Sequence, residues 1–347
     1  MSKPLGVGII GFGRIGAEHA QWIGQSKLAR VTGVFDPTIA RAAVAGQSGL
    51  KVYSTIDELF SDRQMEAVVV ATPTSMHFEH ASLALSRGRH VMVEKPIALD
   101  LDRARQLADE AAAANLVLTV CHNRRWDLDY LTVAQAIRSG TFGRVFNIES
   151  RLGQWASCVG PAAREYRPNW RNEAAFGGGA LFDWGSHFLD QIWQLLLPAR
   201  PIRLFAQLRN NVWSAECDDL ARVVIDFDND AMALVEINTT TTRPLPRWHI
   251  DGSAGSAFSP YSPEFDTAVW ASLRFSPADK PEHRTLEPAN PGLTIADLFD
   301  NFATAVRTGS PPAVTPQSVL TTMTLLDAAR KSARLGQAVD VAEPSRQ

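Results

Sequence analysis

The sequence predicts an α/β protein of two domains, the first built on a doubly wound parallel sheet and the second on longer strands with one buried face. Three observations lead to this fold class: the length of 347 residues, the alternation of short apolar runs with helical stretches up to residue 120, and the period-two strands of the second half. A chain of this length exceeds a single core of ordinary size. We place the domains at residues 1–121 and 122–347, and expect that the last helices can pack back on the first domain.

The first domain is predicted from five short runs that are rich in Val and Ile and lack polar alternation, as is typical of buried parallel strands. They cover residues 7–10, 31–35, 67–71, 90–93 and 116–120. Helical stretches lie between the runs: Thr55 and Glu58 have the spacing of a capping box, and residues 101–114 are rich in alanine. Strand, helix and strand in repetition require right-handed crossovers and a parallel sheet.

The second half has longer strands, predicted over residues 145–151, 202–209, 220–227 and 231–241. Apolar residues at every second position of 220–227 predict a sheet with one buried face and one face that is open or in an interface. The turn signal Asp228-Asn229-Asp230 predicts a hairpin. Residues 252–263 are predicted to form an irregular excursion. A helix is predicted over residues 295–306, and a last helix starts at Pro316 behind its N-cap Thr315 and ends near Gly336.

Composition and charge exclude several classes of partner. Apolar residues make up 45% of the chain, the formal net charge is −3, and Lys and Arg form no dense run, so we expect no nucleic-acid partner. The apolar run at residues 5–10 is too short for a signal peptide, and no run reaches the roughly 18 residues of a membrane span. Cys121, Cys158 and Cys217 are widely spaced, which predicts neither disulfides nor a cysteine-ligated zinc site. We therefore expect a cytoplasmic protein with no membrane contact and no bound metal.

The first strand is joined to a helical stretch by the sequence Gly11-Phe12-Gly13-Arg14-Ile15-Gly16. In this G-x-G-x-x-G pattern, Gly11 permits the tight turn, Gly13 lets a pyrophosphate approach the backbone, and Gly16 allows close packing of helix on strand. The N-terminus of the helix offers unpaired N–H groups to phosphates. The alternative is a glycine-rich turn without a ligand, but strand, loop, helix and a following acid all favour a dinucleotide site.

The following acid is Asp36, which lies at the end of the second strand and about 20 residues after Gly16. A carboxylate there accepts hydrogen bonds from the adenosine ribose and repels a 2′-phosphate, which favours NAD. The alternative is a turn aspartate before Pro37. Arg41 is close enough in sequence to leave NADP open.

Lys95 follows the fourth strand in the tripeptide Glu94-Lys95-Pro96. Ligands of open α/β sheets bind beyond the carboxyl ends of the strands, so this lysine is placed to polarise a substrate oxygen. Taken alone, the tripeptide would be interpreted as a solvated charge pair before a proline turn.

A second cluster begins with three glycines at residues 177–179 and continues as a helical stretch. Asp183 and His187 are four residues apart, about one turn, and are expected on one helix face, with Asp190 a turn further on as a supporting partner. An imidazole can act as a general base on a hydroxyl, with the carboxylate to orient it. For an isolated Asp-x-x-x-His, an ordinary ion pair on an exposed face is the favoured alternative.

Taken together, these motifs, in this order and at this spacing, resemble the Gfo/Idh/MocA oxidoreductase family over essentially the whole chain. The likeness includes residues 72–77, the sequence Asn123-Arg124-Arg125 and the pair Trp170-Arg171. The resemblance implies a Rossmann domain followed by an α/β domain with a large, mostly antiparallel, open-faced sheet. Members of the family often use this sheet to form dimers or tetramers.

The resemblance also implies roles for individual residues. His187 would be the general base on a secondary alcohol, Lys95 would stabilise the oxygen, and Asp183 would assist His187. The Lys95–Pro96 peptide bond would be cis. Arg124 would face the cofactor or the substrate, and Trp170 would face the substrate. Beside the glycine loop and Asp36, the resemblance assigns to the cofactor Ala71, Thr72, Pro73, His77, Glu94 and Lys95.

The leading hypothesis is an NAD(P)-dependent dehydrogenase that transfers a hydride between a secondary alcohol of a sugar, inositol or related polyol and the nicotinamide. Two alternatives stay open: internal redox or elimination chemistry with tightly held NAD, and a ligand-sensing regulator on the same fold. A regulator would be expected to have lost the lysine or the histidine. The tryptophans of the second half suit a core, a carbohydrate-type pocket or an interface. We expect specificity to lie in residues 153–171 and 248–265.

Overall fold

The computed structural model describes residues 3–155, 170–280, 282–289 and 292–341. Cys158 and most of the predicted specificity loop at 153–171 lie outside the described residues. The described residues form two sheets, one in each half of the chain.

The first sheet is parallel and completely buried at its centre. Its strands are β1 (Leu5–Ile10), β2 (Ala29–Phe35), β3 (Ala67–Val70), β4 (His90–Val93) and β5 (Leu118–Val120). The helices between them are α1 (Arg14–Gln25), α2 (Ile39–Gln47), α3 (Ile56–Ser61), α4 (His77–Ser86) and α5 (Leu101–Ala113). The strand order is β2-β1-β3-β4-β5, so the direction of winding reverses between β1 and β3. A crevice for a ligand is expected beyond the carboxyl ends of the strands at this reversal.

The second sheet has nine strands, and only the pairing of β6 with β9 is parallel among the described residues. Its strands are β6 (Val145–Gly153), β7 (Pro201–Arg209), β8 (Leu220–Phe227), β9 (Met232–Asn238), β10 (Trp248–Gly252), β11 (Gly255–Phe258), β12 (Arg274–Pro277), β13 (Arg284–Thr285) and β14 (Val339–Asp340). The order is β13-β12-β11-β10-β6-β9-β8-β7-β14. The helices of this half are α6 (Leu128–Arg138), α7 (Ser186–Leu195), α8 (Thr267–Ala271), α9 (Ala296–Thr308) and α10 (Pro316–Leu335).

The predicted α/β fold class, with a parallel first sheet and a larger, mostly antiparallel second one, is confirmed. In β8, every second side chain from Ala221 to Phe227 is buried, while Arg222 and Asp226 are exposed, as the period-two pattern predicts. The predicted β8–β9 hairpin also forms. The prediction of an irregular excursion at 252–263 was wrong, because Gly255–Phe258 is β11 and pairs with both β10 and β12. Its sequence, Gly-Ser-Ala-Phe, lacks the β-branched residues by which strands are recognised.

The last two helices join the two halves of the chain. Leu298, Phe299 and Phe302 of α9 are buried in the same core as Val7 and Ile9 of β1. Helix α10 packs against α5 of the first half and against α7 and β7 of the second. It starts at Pro316 behind the N-cap Thr315, whose side chain accepts a hydrogen bond from the Ser318 N–H, and its C-cap is Gly336. Within the described ranges, no helix combines the length and apolar character needed to cross a membrane.

Candidate active site

The glycine loop after β1 is shaped by close contacts on one side and open space on the other. Gly11 has a φ of +91°, a region that favours glycine, and a Cβ there would lie 2.8 Å from the carbonyl oxygen of Ala71. A Cβ at Gly16 would collide with the carbonyl oxygen of Gly11, so α1 can approach β1 only without a side chain. At Gly13 the nearest atom to such a Cβ is 3.8 Å away. The loop is therefore closed towards the protein and open towards the crevice at Gly13.

Helix α1 begins at this open side. Gly13 is its N-cap and has no side chain to satisfy the first N–H groups of the helix, which remain available to an anion. The crevice has a volume of about 280 Å³. Of the residues predicted for the cofactor, it is lined by Gly11, Gly13, Arg14, Ile15, Asp36, Ala71, Thr72, Pro73, His77, Glu94 and Lys95. Phe12 and Gly16 do not line it; both are buried behind the loop. These features fit a dinucleotide with its pyrophosphate at Gly13.

Asp36 is fixed at the end of β2 by two backbone groups. Its Oδ2 accepts a hydrogen bond from the Phe12 N–H at 2.7 Å, and its Oδ1 accepts one from the Thr38 N–H at 2.8 Å. Each carboxylate oxygen can accept a second hydrogen bond, so the side chain that holds the glycine loop can also bind ribose hydroxyls. Arg41 lines the same end of the crevice.

A buried hydrogen bond lies behind the crevice, between Glu94 and His19. The distance from His19 Nε2 to Glu94 Oε1 is 2.7 Å, and both side chains are buried. Burial raises the pKa of Glu94, but the hydrogen bond and charge of His19, with the charge of Lys95, outweigh it and lower the pKa to about 2. Ligand atoms of His19, Glu94 and Cys121 lie within 4.8 Å of one another, a cluster that the sequence spacing did not indicate. His19 and Glu94, two of the three residues of this cluster, are hydrogen-bonded to each other without an ion.

His77 connects the loops that follow β3 and β4. Its Nδ1 lies 2.7 Å from the carbonyl oxygen of Pro96, and its Nε2 lies 2.8 Å from that of Thr72. The ring is 1% exposed. Burial lowers the pKa of His77, and the contacts with the two carbonyl oxygens oppose this shift without cancelling it. His77 therefore joins the two loops and forms part of the crevice wall.

Lys95 reaches from the first domain into the second. The predicted cis bond between Lys95 and Pro96 is confirmed. Lys95 Nζ donates hydrogen bonds to the carbonyl oxygen of Asp183 at 2.7 Å and to its Oδ1 at 2.8 Å. Arg171 Nε donates to the same Oδ1 at 3.3 Å. Burial raises the pKa of Asp183, but the charges of Lys95 and Arg171 lower it more, so the carboxylate is ionised between two cations.

The segment before α7 differs from the predicted regular helix. Residues Leu181–Gly185 form a π-helical turn, and α7 starts only at Ser186. Asp218 supports this turn, because its Oδ2 accepts a hydrogen bond from the Leu181 N–H at 2.7 Å. The prediction that Asp183 assists His187 was wrong. The wider π-helical turn changes the spacing of the two side chains, and the Asp183 carboxylate binds Lys95 and Arg171 instead.

His187 is buried, with 4% of its surface exposed, and its ring packs edge-on against His122 at a centroid distance of 5.7 Å. Its Nδ1 has no hydrogen-bond partner among the described residues. Burial lowers the pKa of His187, and the charges of Lys95, His122, Arg124 and Arg247 lower it further, to well below 6.5. The ring is therefore neutral near pH 7 and able to accept a proton. Asp190 was expected to support Asp183 and His187, but its carboxylate accepts hydrogen bonds from Arg125 at 2.7 Å instead.

Lys95, Asp183 and His187 line one small cavity of about 100 Å³, together with Arg14, Asn123, Arg124, Arg171 and Trp184. Lys95, Asp183, Arg14 and Arg171 also line the crevice, so the two spaces adjoin. Arg124 lies over the rings of Phe265 and Trp184, at 4.3 and 5.3 Å from their centroids. Trp170 lines the crevice but not this cavity, and the Arg171 guanidinium lies over its ring at 4.4 Å.

Two residues that support the site were missed from the sequence: His19 and Asp218. Neither belongs to a motif, and each reaches the site only through the tertiary fold. A buried polar residue of this kind is recognised by its hydrogen-bond partner, which is distant in sequence in both cases.

The chain is similar to known proteins in both of its domains. Residues 5–122 match a family model described as the GFO_IDH_MocA oxidoreductase family with an NAD-binding Rossmann fold. Residues 130–258 match the GFO/IDH/MocA C-terminal domain.

Curated relatives and a solved structure agree with this match. The oxidoreductase YdgJ of Escherichia coli K12 is 33% identical over 74% of this chain and 71% of its own length. The scyllo-inositol 2-dehydrogenase (NADP(+)) IolW of Bacillus subtilis is 27% identical over 59% of this chain and 55% of its own length. Matches to two oxidoreductases of Schizosaccharomyces pombe span 48% and 46% of those proteins, about half of their length. The structure of an NAD-binding protein from Listeria innocua matches with a TM-score of 0.87 at 28% identity and covers 98% of each chain.

The two parts of the candidate site lie in the two matched domains. The crevice at Gly13 lies in the part that matches an NAD-binding domain, and His187 lies in the part that matches its companion domain. Because both domains match in sequence and the full chain matches in fold, the protein belongs to the Gfo/Idh/MocA oxidoreductase family and has its NAD-binding Rossmann domain.

Proposed function

We propose that this protein is a dehydrogenase that oxidises a secondary alcohol of a sugar, inositol or related polyol, or reduces the corresponding ketone. One observation carries the proposal: a neutral buried histidine, His187, and a lysine, Lys95, line the same cavity, and this cavity adjoins the crevice that fits a dinucleotide. A base and a cation around one oxygen are what the oxidation of an alcohol requires. The inositol dehydrogenase among the relatives agrees with this class of substrate.

In the proposed reaction, the nicotinamide supplies the hydride acceptor or donor. His187 takes the hydroxyl proton through a ring nitrogen, and its low pKa keeps it unprotonated before the reaction. Lys95 donates a hydrogen bond to the same oxygen and stabilises the negative charge that develops there. Asp183 holds Lys95 in place through the 2.8 Å hydrogen bond and carries no proton itself. Arg124, held over two aromatic rings, borders the substrate.

A screen of sugars, inositols and linear polyols with NAD and with NADP, followed by the absorbance of the reduced cofactor, tests this function. We expect net formation of reduced cofactor with at least one cyclic polyol or sugar. Absence of reduced cofactor with every compound, from a protein that binds NAD in calorimetry, would contradict the proposal.

The cofactor preference is expected to depend on Asp36. We predict that NAD is used better than NADP, and that Asp36→Ser narrows or reverses the preference by removing a ribose contact and the repulsion of a 2′-phosphate. Asp36→Asn is the matched control, because it removes the charge but keeps an acceptor for the Phe12 N–H. The measurement is kcat/KM with each cofactor. A wild-type preference for NADP of tenfold or more, about 1.4 kcal/mol, would show that the role given to Asp36 is wrong.

The pH dependence should follow the low pKa of His187. A base is active only when it is unprotonated, so activity is lost as the pH falls through its pKa. Since burial and neighbouring cations lower this pKa well below 6.5, we predict a kcat/KM that stays level from pH 8 to about pH 6 and falls at lower pH. Samples returned from low pH to pH 7.5 before assay separate titration from unfolding. A reversible acid limb centred at pH 7 would contradict the assignment.

We also propose a homodimer or homotetramer that uses the outer face of the large sheet, without nucleic-acid or membrane partners and located in the cytoplasm. Phe205, Val224 and Leu234 are register partners across β7, β8 and β9 and form an apolar stripe on the face opposite the buried side chains. Light scattering is expected to give two or four chain masses, and Leu234→Glu is expected to lower the mass. A wild-type monomer at micromolar concentration would overturn this proposal.

A further inference from the structure

A buried amide joins the helix of His187 to the segment that carries Arg124. Gln191 lies four residues after His187, about one turn further along α7, and is 1% exposed. Its Nε2 donates a hydrogen bond to the carbonyl oxygen of Arg124 at 2.6 Å. Two residues that line the same cavity, His187 and Arg124, are therefore connected through this one side chain.

Arg247 holds the amide of Gln191 from the other side. Its Nη2 donates a hydrogen bond to Gln191 Oε1 at 2.6 Å. Arg247 is 2% exposed; its Nη1 donates to Ser150 Oγ on β6, and its Nε lies 3.5 Å from Asp129 Oδ2 on α6. A buried amide that is bonded at both its oxygen and its nitrogen keeps one orientation. Strand β6 and helix α6 therefore fix, through Arg247, the direction in which Gln191 donates.

The side chain of Arg124 has weaker contacts of its own. Its Nη1 donates to both oxygens of Asp127 at 3.3 Å, which is long for a hydrogen bond between charged groups. Burial raises the pKa of Asp127 to about 7, so this carboxylate loses its charge as the pH falls through neutrality. The rings of Phe265 and Trp184 lie against the guanidinium but offer it no acceptor. The hydrogen bond from Gln191 is shorter than either bond to Asp127.

Helix α7 also holds this segment at a second point. Asp190, next to Gln191, accepts two hydrogen bonds from the Arg125 guanidinium at 2.7 Å. This ion pair fixes where the turn Asn123–Trp126 lies against α7. The bond from Gln191 fixes the plane of the peptide that follows Arg124, and with it the local backbone from which the Arg124 side chain extends.

We propose that Gln191, held by Arg247, is a positioning residue: it keeps Arg124 at its place in the cavity, so that Arg124 contacts the substrate while the reacting oxygen lies at His187. This inference rests on the proposed function and adds to it a residue outside the substrate and cofactor contacts. Gln191 lines neither the crevice nor the cavity. An effect of its loss on the substrate must therefore pass through a residue that it contacts.

Gln191→Met tests this role, because methionine keeps the length of the side chain and removes both the donor and the acceptor. With the best substrate from the screen, we expect KM to rise about fivefold or more and kcat to fall by less than about threefold, the pattern of lost binding. Affinity for NAD should stay within about twofold, because Gln191 does not line the crevice.

Trp193→Phe is the matched control on the same helix. It removes another buried hydrogen bond of α7, from Trp193 Nε1 to Thr322 Oγ1, which does not reach Arg124. Its KM should therefore stay within about twofold of the wild type. Gln191→Asn is a second variant in case Gln191→Met does not fold, because it keeps a buried amide that is one carbon too short to bridge both partners. It should show the same rise in KM.

A double variant shows whether Gln191 acts through Arg124. Arg124→Met alone is expected to raise KM at least as much as Gln191→Met does. Adding Gln191→Met to it should raise KM no further, because the effects of two residues that act through one contact are not additive. Effects on KM that multiply in the double variant would overturn the proposal, and so would a wild-type KM in Gln191→Met.

Crystal structures of the NAD-loaded wild type and of Gln191→Met give a readout that needs no substrate. We expect the Arg124 guanidinium to leave its place 4.3 Å from the centroid of the Phe265 ring, while α7 at His187 does not move. An unmoved Arg124 overturns the positioning role and leaves the proposed function to the screen. A displaced Arg124 in a protein that oxidises no polyol supports the link and overturns the proposed dehydrogenase. An unmoved Arg124 in such a protein overturns both.

Discussion

His187→Ala is expected to lower kcat by about 10²–10⁴-fold, the usual contribution of a positioned general base. The imidazole lines the substrate cavity, and burial with the neighbouring cations holds the pKa of His187 well below 6.5, so the ring is unprotonated at pH 7 and can accept the hydroxyl proton. Affinity for NAD should change by less than about twofold, because His187 does not line the crevice. Steady-state rates beside calorimetry of NAD measure the two effects.

Two variants separate the role of His187 as a base from a role in packing. His187→Gln keeps a polar side chain of similar size but cannot accept and hold the proton, so it should be as impaired as His187→Ala. His122→Phe preserves an aromatic edge against His187 at the same place, and we expect it to retain most of the activity. A His187→Gln enzyme with near wild-type kcat would show that His187 has a structural role and is not the general base.

Lys95→Met is expected to lower kcat by about 10²–10³-fold, as the loss of one donor to a developing oxyanion does. Methionine keeps the length of the side chain and removes only the charge and the donor. In the wild type, Lys95 Nζ bridges the carbonyl and the carboxylate of Asp183. The variant leaves this buried carboxylate with Arg171 as its remaining cationic partner.

Lys95→Met is also expected to change the pH dependence of the reaction, which the loss of a lysine with only a structural role would not do. After burial, the charge of Lys95 is the largest contribution that lowers the pKa of His187. In Lys95→Met the pKa of His187 should rise, so the acid limb of the residual kcat/KM should move to higher pH. Asp183→Asn is the matched variant, because it leaves the cation in place and should not move the acid limb upward. An unchanged acid limb in Lys95→Met would refute the proposed proximity of the two groups in the working enzyme.

The parts of the fold that could be predicted are those in which a short stretch of sequence determines its own environment. Strands rich in Val, such as β3, can be predicted because their side chains must be buried on both faces of the sheet. The glycine loop can be predicted because its G-x-G-x-x-G spacing is the one that a dinucleotide requires. The start of α10 was equally local, since the Thr315 side chain accepts a hydrogen bond from the nearby Ser318 N–H and Pro316 has no N–H that needs a partner.

The partners of Asp183 could not be predicted because they depend on where other segments lie. A spacing of four residues places two side chains on one helix face only if the helix is regular, and the π-helical turn at Leu181–Gly185 removes that condition. The turn is held by Asp218, which is far away in the sequence. Lys95, from the opposite domain, then takes the place beside Asp183 that the local pattern had assigned to His187.

The position of α9 has a consequence for how the protein is made. The N-terminal domain is synthesised first, yet part of its core consists of Leu298, Phe299 and Phe302. Until those residues leave the ribosome, the apolar side chains of α1 and β2 that they cover lack these partners. The nascent domain must therefore wait for the final part of the chain, and contacts across nearly 300 residues are slow to form. Premature termination before α9 would leave a chain that has every residue of the glycine loop but no closed domain to carry it.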